Sequence, residues 1–174
     1  MADSNTMNTR NNPDRRRTFG AGGQDASQYD HEVLNIARVV RVVKGGRRFR
    51  FQAVVVVGDR AGKVGLGIGK SKDIQQAIQK AQGKAEKRLV KVNLDGGTIT
   101  HTSMASFKGA QVLVKPASAG TGVIAGGTVR TVADLAGIQD LVSKRYGSNN
   151  KITNAMATIK ALSAAVGHRG RKDQ

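Results

Sequence analysis

The chain has 174 residues, no cysteine and a formal net charge of +17. Without cysteine there is no disulfide and no thiolate chemistry, and His31, His101 and His168 lie too far apart for metal-ligand spacing. So large a positive charge repels itself and calls for a polyanion, nucleic acid or an anionic membrane surface; no apolar run reaches the ~18 residues of a membrane span.

Residues 1–30 hold four basic and four acidic side chains and almost no aliphatic ones. Such a segment cannot bury enough surface to offset its chain entropy, so a disordered extension is predicted, without the apolar stretch of a secretory signal. Arg15, Arg16 and Arg17 in it either touch a polyanion or sit in solvent. Folded structure is expected from His31. Residues 31–95 carry fifteen basic and five acidic groups, net +10, against net +7 for residues 96–174. The first unit therefore holds most of the field.

The run EVLNIARVVRVVKGGRRFRFQAVVVVGD has two β-rich segments around Gly45-Gly46. Two glycines there predict a hairpin with a type I′ turn, which needs positive φ at both central residues. Phe49, Phe51, Ala53, Val55 and Val57 alternate onto one face; Arg48, Arg50 and Gln52 take the other. The spacing of Arg38, Arg41 and Lys44 breaks period two, which predicts a bulge near Val39-Val40. No acid occurs from Ile36 to Val57, although Arg38, Arg41, Lys44, Arg47, Arg48 and Arg50 all lie there. A merely solvated strand face mixes both signs to limit repulsion. The planar guanidinium fork also suits phosphate. These six residues, with Gly45 and Gly46 at the turn, form the candidate polyanion-binding hairpin.

Asp59 to Gly62 makes a second turn into GKVGLGIGKS. A P-loop would need glycine at position 64, where Val64 stands, and the dinucleotide pattern fails at Lys70 and Lys72. The glycines recur every second residue, at Gly65, Gly67 and Gly69, so the stretch is predicted to be a strand. Val64, Leu66 and Ile68 form its apolar face. The bare face has two readings: an RNA backbone approaches its peptide groups, flanked by Lys63 and Lys70, or a helix packs closely on it. The helix follows at once. Ile74, Ala77, Ile78, Ala81, Ala85 and Leu89 form a narrow apolar stripe. Lys70 and Lys72 stand at its start, where the helix dipole disfavours cations unless an anion sits there. The first unit is thus three antiparallel strands and one helix.

Asn93 to Gly97 is predicted to be a linker. Beyond it TITHTS and AQVLVKP predict two strands, GGTVRTVADLAG a short helix ending at Gly137, and IQDLVSKRYG a strand. NKITNAMATIKALSAAV predicts a last helix with Ile152, Met156, Ile159, Leu162 and Val166 as its core face. Gly120, Gly122, Gly126 and Gly127 could bind an anion through backbone N–H groups; close packing and tight turns are the favoured roles. This second unit is expected to keep a core of its own. The division expected is 1–30 extension, 31–94 first domain, 95–166 second domain and 167–174 basic tail. Among twelve carboxylates no catalytic grouping emerges from spacing, so no enzyme, cofactor or metal is expected.

The stretch VVKGGRRFRFQAVVVVGDRAGKVGLGIGKSKDIQQAIQKA, followed in order by PASAGTGVIAGGTVRTVADLAGI and GSNNKITNAMAT, closely resembles the fifth small-subunit ribosomal protein family, bacterial type. The resemblance implies an α+β chain of two domains: a double-stranded-RNA-binding-like β-β-β-α unit and a small α/β domain. It implies binding to small-subunit rRNA, contacts with ribosomal proteins four and eight, a place at the mRNA entry side, and an influence on assembly and decoding accuracy. The alternative from the residues alone is a free-standing duplex-RNA-binding or RNA-remodelling protein, which leaves the second unit without a role. Leu66 and Ile68 replace the aromatics that many relatives carry in the glycine strand, and Lys151 replaces a proline.

Overall fold

The computed structural model describes residues 29–164. The expected extension before Tyr29, Val166 and the basic tail lie outside the described residues. In chain order the elements are β1 (Asp30–Val43), β2 (Gly46–Gly58), β3 (Lys63–Ser71), α1 (Ile74–Glu86), β4 (Val90–Lys91), β5 (Leu94–Asp95), β6 (Thr98–Ile99), β7 (Ser103–Phe107), β8 (Ala110–Pro116), β9 (Val123–Ile124), α2 (Gly127–Ala136), β10 (Leu141–Gly147) and α3 (Lys151–Ala164). The first sheet has order β1-β2-β3-β4, the second β7-β8-β10-β9, and β5-β6 is a separate small hairpin. The chain is thus an α+β protein with a β-β-β-α unit followed by a small α/β unit.

Four local expectations are corrected. The turn between β1 and β2 is centred on Lys44 and Gly45, because Val43 pairs with Gly46; of the two glycines only Gly46 has positive φ, 135°. Both-positive glycines occur instead at Gly96 (56°) and Gly97 (93°), where they join β5 to β6. The predicted linker is therefore a hairpin, with strands too short for any periodicity to reveal, and Leu94 packs on the main core. The register shift in β1 falls between Val33 and Asn35, not at Val39-Val40. There the Leu34 carbonyl accepts a hydrogen bond from Lys151 Nζ at 2.9 Å, tying the bulge to α3. TITHTS is not one strand: Thr98–Ile99 and Ser103–Phe107 belong to different sheets.

α1 covers one face of the first sheet. Its buried Ala77, Ala81 and Ala85 meet Ala53, Val55 and Val57 of β2. Gly65, Gly67 and Gly69 lie on that same face, since they pair with Val57, Val55 and Ala53. A methyl group at Gly67 would land on the Ala81 carbonyl oxygen, and one at Gly69 on the Ala77 carbonyl. Glycine opposite alanine lets the helix axis approach the sheet more closely than any side chain would permit. Of the two readings of the bare face, helix packing holds. Gly83, on α1, has nothing within 4 Å of an added Cβ. Gly83→Ala is therefore expected to raise the unfolding free energy by about 0.5–1 kcal/mol in chemical denaturation, the helix-propensity gain without a steric cost.

The opposite face of the same sheet is not left to solvent. Val54, Val56, Val64 and Leu66 belong to one buried cluster with Val112 and Val114 of β8, Val129 and Val132 of α2, and Leu162 of α3. The two units share this core, contrary to the expectation that each keeps its own. The physical reason stands in the sequence: Val54 to Val57 are all fully buried, as in a strand covered on both faces, where alternation gives way to a continuous apolar run. Backbone bonds fasten the junction. Arg60 N–H donates to the Leu135 carbonyl and Gly62 N–H to that of Ala136, each at 3.0 Å. Gly137, at φ 84°, ends α2 as expected and sits where a Cβ would strike the Arg60 carbonyl.

α3 buries more than one stripe, because it lies between α2 and the second sheet. Ile159 and Leu162 are buried as predicted, but Ala155, Ala157, Thr158 and Ala161 are too, while Ile152 and Met156 are only half-buried. The glycine-rich approach to α2 serves turns rather than packing. Gly120 (φ 87°) and Gly122 (φ 73°) need the left-handed region, and Gly127 has no neighbour for a Cβ to meet.

Candidate nucleic-acid interface

Residues directly opposite in an antiparallel pair share a face. The register of β1 and β2 places Arg41 opposite Arg48 and Val39 opposite Arg50; β3 adds Lys70 opposite Gln52. Arg41, Arg48, Arg50 and Lys70 thus project from one face of the hairpin, the face away from α1. They are exposed, and together with Val39, Val40 and Val43 they line a concavity of about 420 Å³. Lys72 joins them from the strand's end, beside Arg48, Phe49 and Arg50 in a second, shallower concavity. Lys44 and Gly45 form the tip.

The other cations behave differently. Arg38 and Arg47 pair with Phe51 and Val42, so they lie on the α1 side of the ribbon. Arg38 lays its guanidinium 3.8 Å from the centroid of the Phe49 ring, a cation–π contact that holds it flat along the strand. That contact was not foreseen; the diagonal spacing of Arg38 and Phe49 across a hairpin could have indicated it. Lys63 opens β3, seven residues before Lys70, which is about 23 Å along a strand, and is paired with Lys91. It is not part of the hairpin surface. Gly65, Gly67 and Gly69 are buried under α1, so nothing outside the protein reaches their peptide groups from that face; their assignment as RNA contacts is withdrawn.

Electrostatically the hairpin is one-sided. Among the described residues no carboxylate pairs with Arg38, Arg41, Lys44, Arg47, Arg48 or Arg50; the ion pair nearest in the sheet joins Asp30 to Arg60 at 2.7 Å, at the far end of β1. Arg41 and Arg48 face each other as like charges, an arrangement that costs stability in an isolated sheet. No cluster of three or more metal-ligating side chains occurs among the described residues, and no described helix is long and apolar enough to cross a membrane.

A rigid sheet clamped between helices and ending in an unneutralised cationic ribbon defines a basic structural protein, one that presents charge rather than enclosing a substrate. Which protein of that class follows from likeness. The model of ribosomal protein S5, N-terminal domain, matches residues 29–93, and that of ribosomal protein S5, C-terminal domain, matches residues 105–169. A relative from Campylobacter jejuni, small ribosomal subunit protein uS5, is 49% identical over 140 residues, covering 80% of this chain and 95% of its own length. The chain belongs to the ribosomal protein S5 family. It is accordingly a structural, non-enzymatic constituent of the small ribosomal subunit. The free-standing RNA-binding alternative gives way, since both units match the family and the second is no longer without a role.

Proposed function

We propose that the β1–β2 hairpin binds small-subunit rRNA through phosphate contacts, and that this chain thereby supports subunit assembly. The observation that carries the reading is the acid-free face of Arg41, Arg48, Arg50 and Lys70, whose mutual repulsion is relieved when phosphates arrive. Lys44, Gly45 and Gly46 place the tip against RNA, with Arg47 and Lys72 on its flanks. With only six aromatic residues in the chain, recognition rests on RNA shape and backbone more than on base stacking. The family resemblance extends the reading to contacts with ribosomal proteins four and eight, to a position beside mRNA at its entry side, and to decoding accuracy. A rigid hairpin held by a doubly covered sheet suits such a role, because a small displacement at its base would move the whole ribbon.

The absence of native cysteine makes a clean test available. A Lys44→Cys variant carries one attachment site for a hydroxyl-radical source. In reconstituted small subunits, strand scission of rRNA should be confined to a few short segments around the tip. Scission no stronger than that from untethered reagent would exclude the hairpin from the RNA.

A further inference from the structure

α2 begins without a side-chain cap. Its N-cap residue is Gly126, no acid stands in its first turn, and its first internal bond runs from the Arg130 N–H to the Gly126 carbonyl at 2.9 Å. The N–H groups of Gly127, Thr128 and Val129 therefore have no acceptor within the helix. α3 differs, since Asn150 Oδ1 accepts there from the Ile152 N–H at 2.9 Å. The open end of α2 meets a concavity of about 430 Å³ at the junction of the two units, lined by Glu32 and Leu34 of β1 and by Thr128, Arg145 and Lys151 of the second unit. A guanidinium stands where an acid would be usual: Arg145 Nε and Cζ lie 4.0 Å from the position a Cβ on Gly126 would take. Arg145 is half-buried, and among the described residues it has neither a carboxylate nor a hydrogen-bond acceptor. Thr128 is only 7% exposed, and its hydroxyl is unpaired as well. The sealed unpaired side-chain atoms are Ser143 Oγ and Asn154 Oδ1; the Thr128 hydroxyl is not one of them, so it opens into the concavity that Thr128 lines.

We infer that this junction is an oxyanion site that takes a phosphate group, separate from the hairpin. Three positive features converge on it: the amide end of α2, the Arg145 guanidinium and the Lys151 ammonium. Lys151 donates to the Leu34 carbonyl at 2.9 Å, which fixes its ammonium and leaves two donors free. A half-buried cation beside the positive end of a helix is unfavourable until an anion arrives. The donors also select the kind of anion. Amides and a hydroxyl from α2, a guanidinium from β10 and an ammonium from α3 approach from different directions. That spread suits four tetrahedral oxygens better than the coplanar pair of a carboxylate. The chain carries its own comparison: Glu32, the one acid lining the concavity, accepts from Thr131 Oγ1 at 3.3 Å and forms an ion pair with neither Arg145 nor Lys151. Free phosphate and an rRNA phosphodiester present the same oxygens. Either one, held here, links α2 and β10 to the tie between Lys151 and the β1 bulge, and so joins the two units.

Inorganic phosphate titrated into the full chain at constant ionic strength tests this, with Arg41, Arg48 and Arg50 replaced by glutamine to silence the hairpin. In amide NMR spectra the Gly127, Thr128 and Val129 signals should shift together and saturate. Arg145→Gln should weaken that binding by about tenfold, the loss of one charge-assisted contact. Thr128→Val, which replaces only the hydroxyl by a methyl group, should weaken it severalfold. Shifts that do not saturate at these amides, or binding unchanged in both variants, would overturn the site. The source of the phosphate is read in reconstituted small subunits from a hydroxyl-radical source on Asn149→Cys, an exposed position at the mouth. Scission of rRNA close to it identifies a phosphodiester; saturable binding in the free chain without such scission identifies free phosphate. Carbodiimide coupling of Lys151 to a carboxylate of another protein would give the site to a polypeptide and overturn the inference. Because the titration is made with the hairpin silenced, failure here leaves the hairpin proposal standing, and the reverse also holds.

Discussion

Gly67→Ala is expected to lower the unfolding free energy by about 3 kcal/mol, the upper part of the range for overpacking. The added methyl meets the Ala81 carbonyl and the Ala85 amide of α1, both backbone atoms that cannot rotate away. Relief requires the helix to lift from the sheet, which strips Ala77, Ala81 and Ala85 from their contacts with Ala53, Val55 and Val57. Alanine also restricts the unfolded chain, a gain of at most about 1 kcal/mol, so the steric loss wins. Gly83→Ala, on the same helix but facing open space, should move the midpoint the other way. Equilibrium urea denaturation of both variants decides the matter; equal midpoints for Gly67→Ala and the parent would show that α1 does not rest on the glycine strand. Where Gly67→Ala remains folded, the salt dependence of its rRNA binding should match the parent's, because this glycine faces protein and not RNA.

Replacing Arg41, Arg48 and Arg50 together by glutamine should weaken binding to small-subunit rRNA by roughly 100-fold at near-physiological salt. The figure takes about 1 kcal/mol lost at each of three contacts, because glutamine keeps a neutral donor of about 0.5–1.5 kcal/mol in place of a charge-assisted one of about 1.5–3 kcal/mol, and tenfold per 1.4 kcal/mol. The slope of log affinity against log salt should become shallower by about 2–3, one released counterion fewer per lost phosphate contact. The variant should fold at least as well as the parent, since Arg41 and Arg48 oppose each other as like charges in the register. Neutralising Lys63 and Lys91, paired at the other end of β3, should change the affinity far less. Filter binding at several salt concentrations measures all of this, and an unaltered slope in the triple variant would remove the hairpin from the interface.

Much of the candidate surface was legible because β-structure has a period of two. The alternation Arg48, Arg50, Gln52 against Phe49, Phe51, Ala53 assigns faces from sequence alone, and the pairing with β3 brings Lys70 to the cationic side. For Arg47, which precedes Arg48 in β2, the same alternation does give the α1 side. The face of Arg38 depends on where a bulge interrupts β1, and the shift lies at Leu34, before Arg38, where a lysine from α3 reaches the backbone, and not at Val39-Val40. The turn was misplaced by a single residue for a related reason. Gly45-Gly46 and Gly96-Gly97 offer the same local signal, and only strand pairing decides which pair occupies both central positions of a turn.

The glycine strand marks the boundary between the two kinds of information. Its spacing established that Gly65, Gly67 and Gly69 share a face and that this face is bare; its composition and that of the hairpin established an acid-free ribbon suited to a polyanion. What covers the bare face was beyond the reach of spacing, because periodicity states which residues point together and not what stands opposite them. The tertiary structure supplied the partner in each case: α1 over the glycines, and on the other face α2 over β2 with α3 against β3, merging two units into one core. Short-range order follows from the chain's own repeat, whereas the choice of covering element is settled by packing between segments far apart in sequence, where shape and buried area compete over the whole molecule.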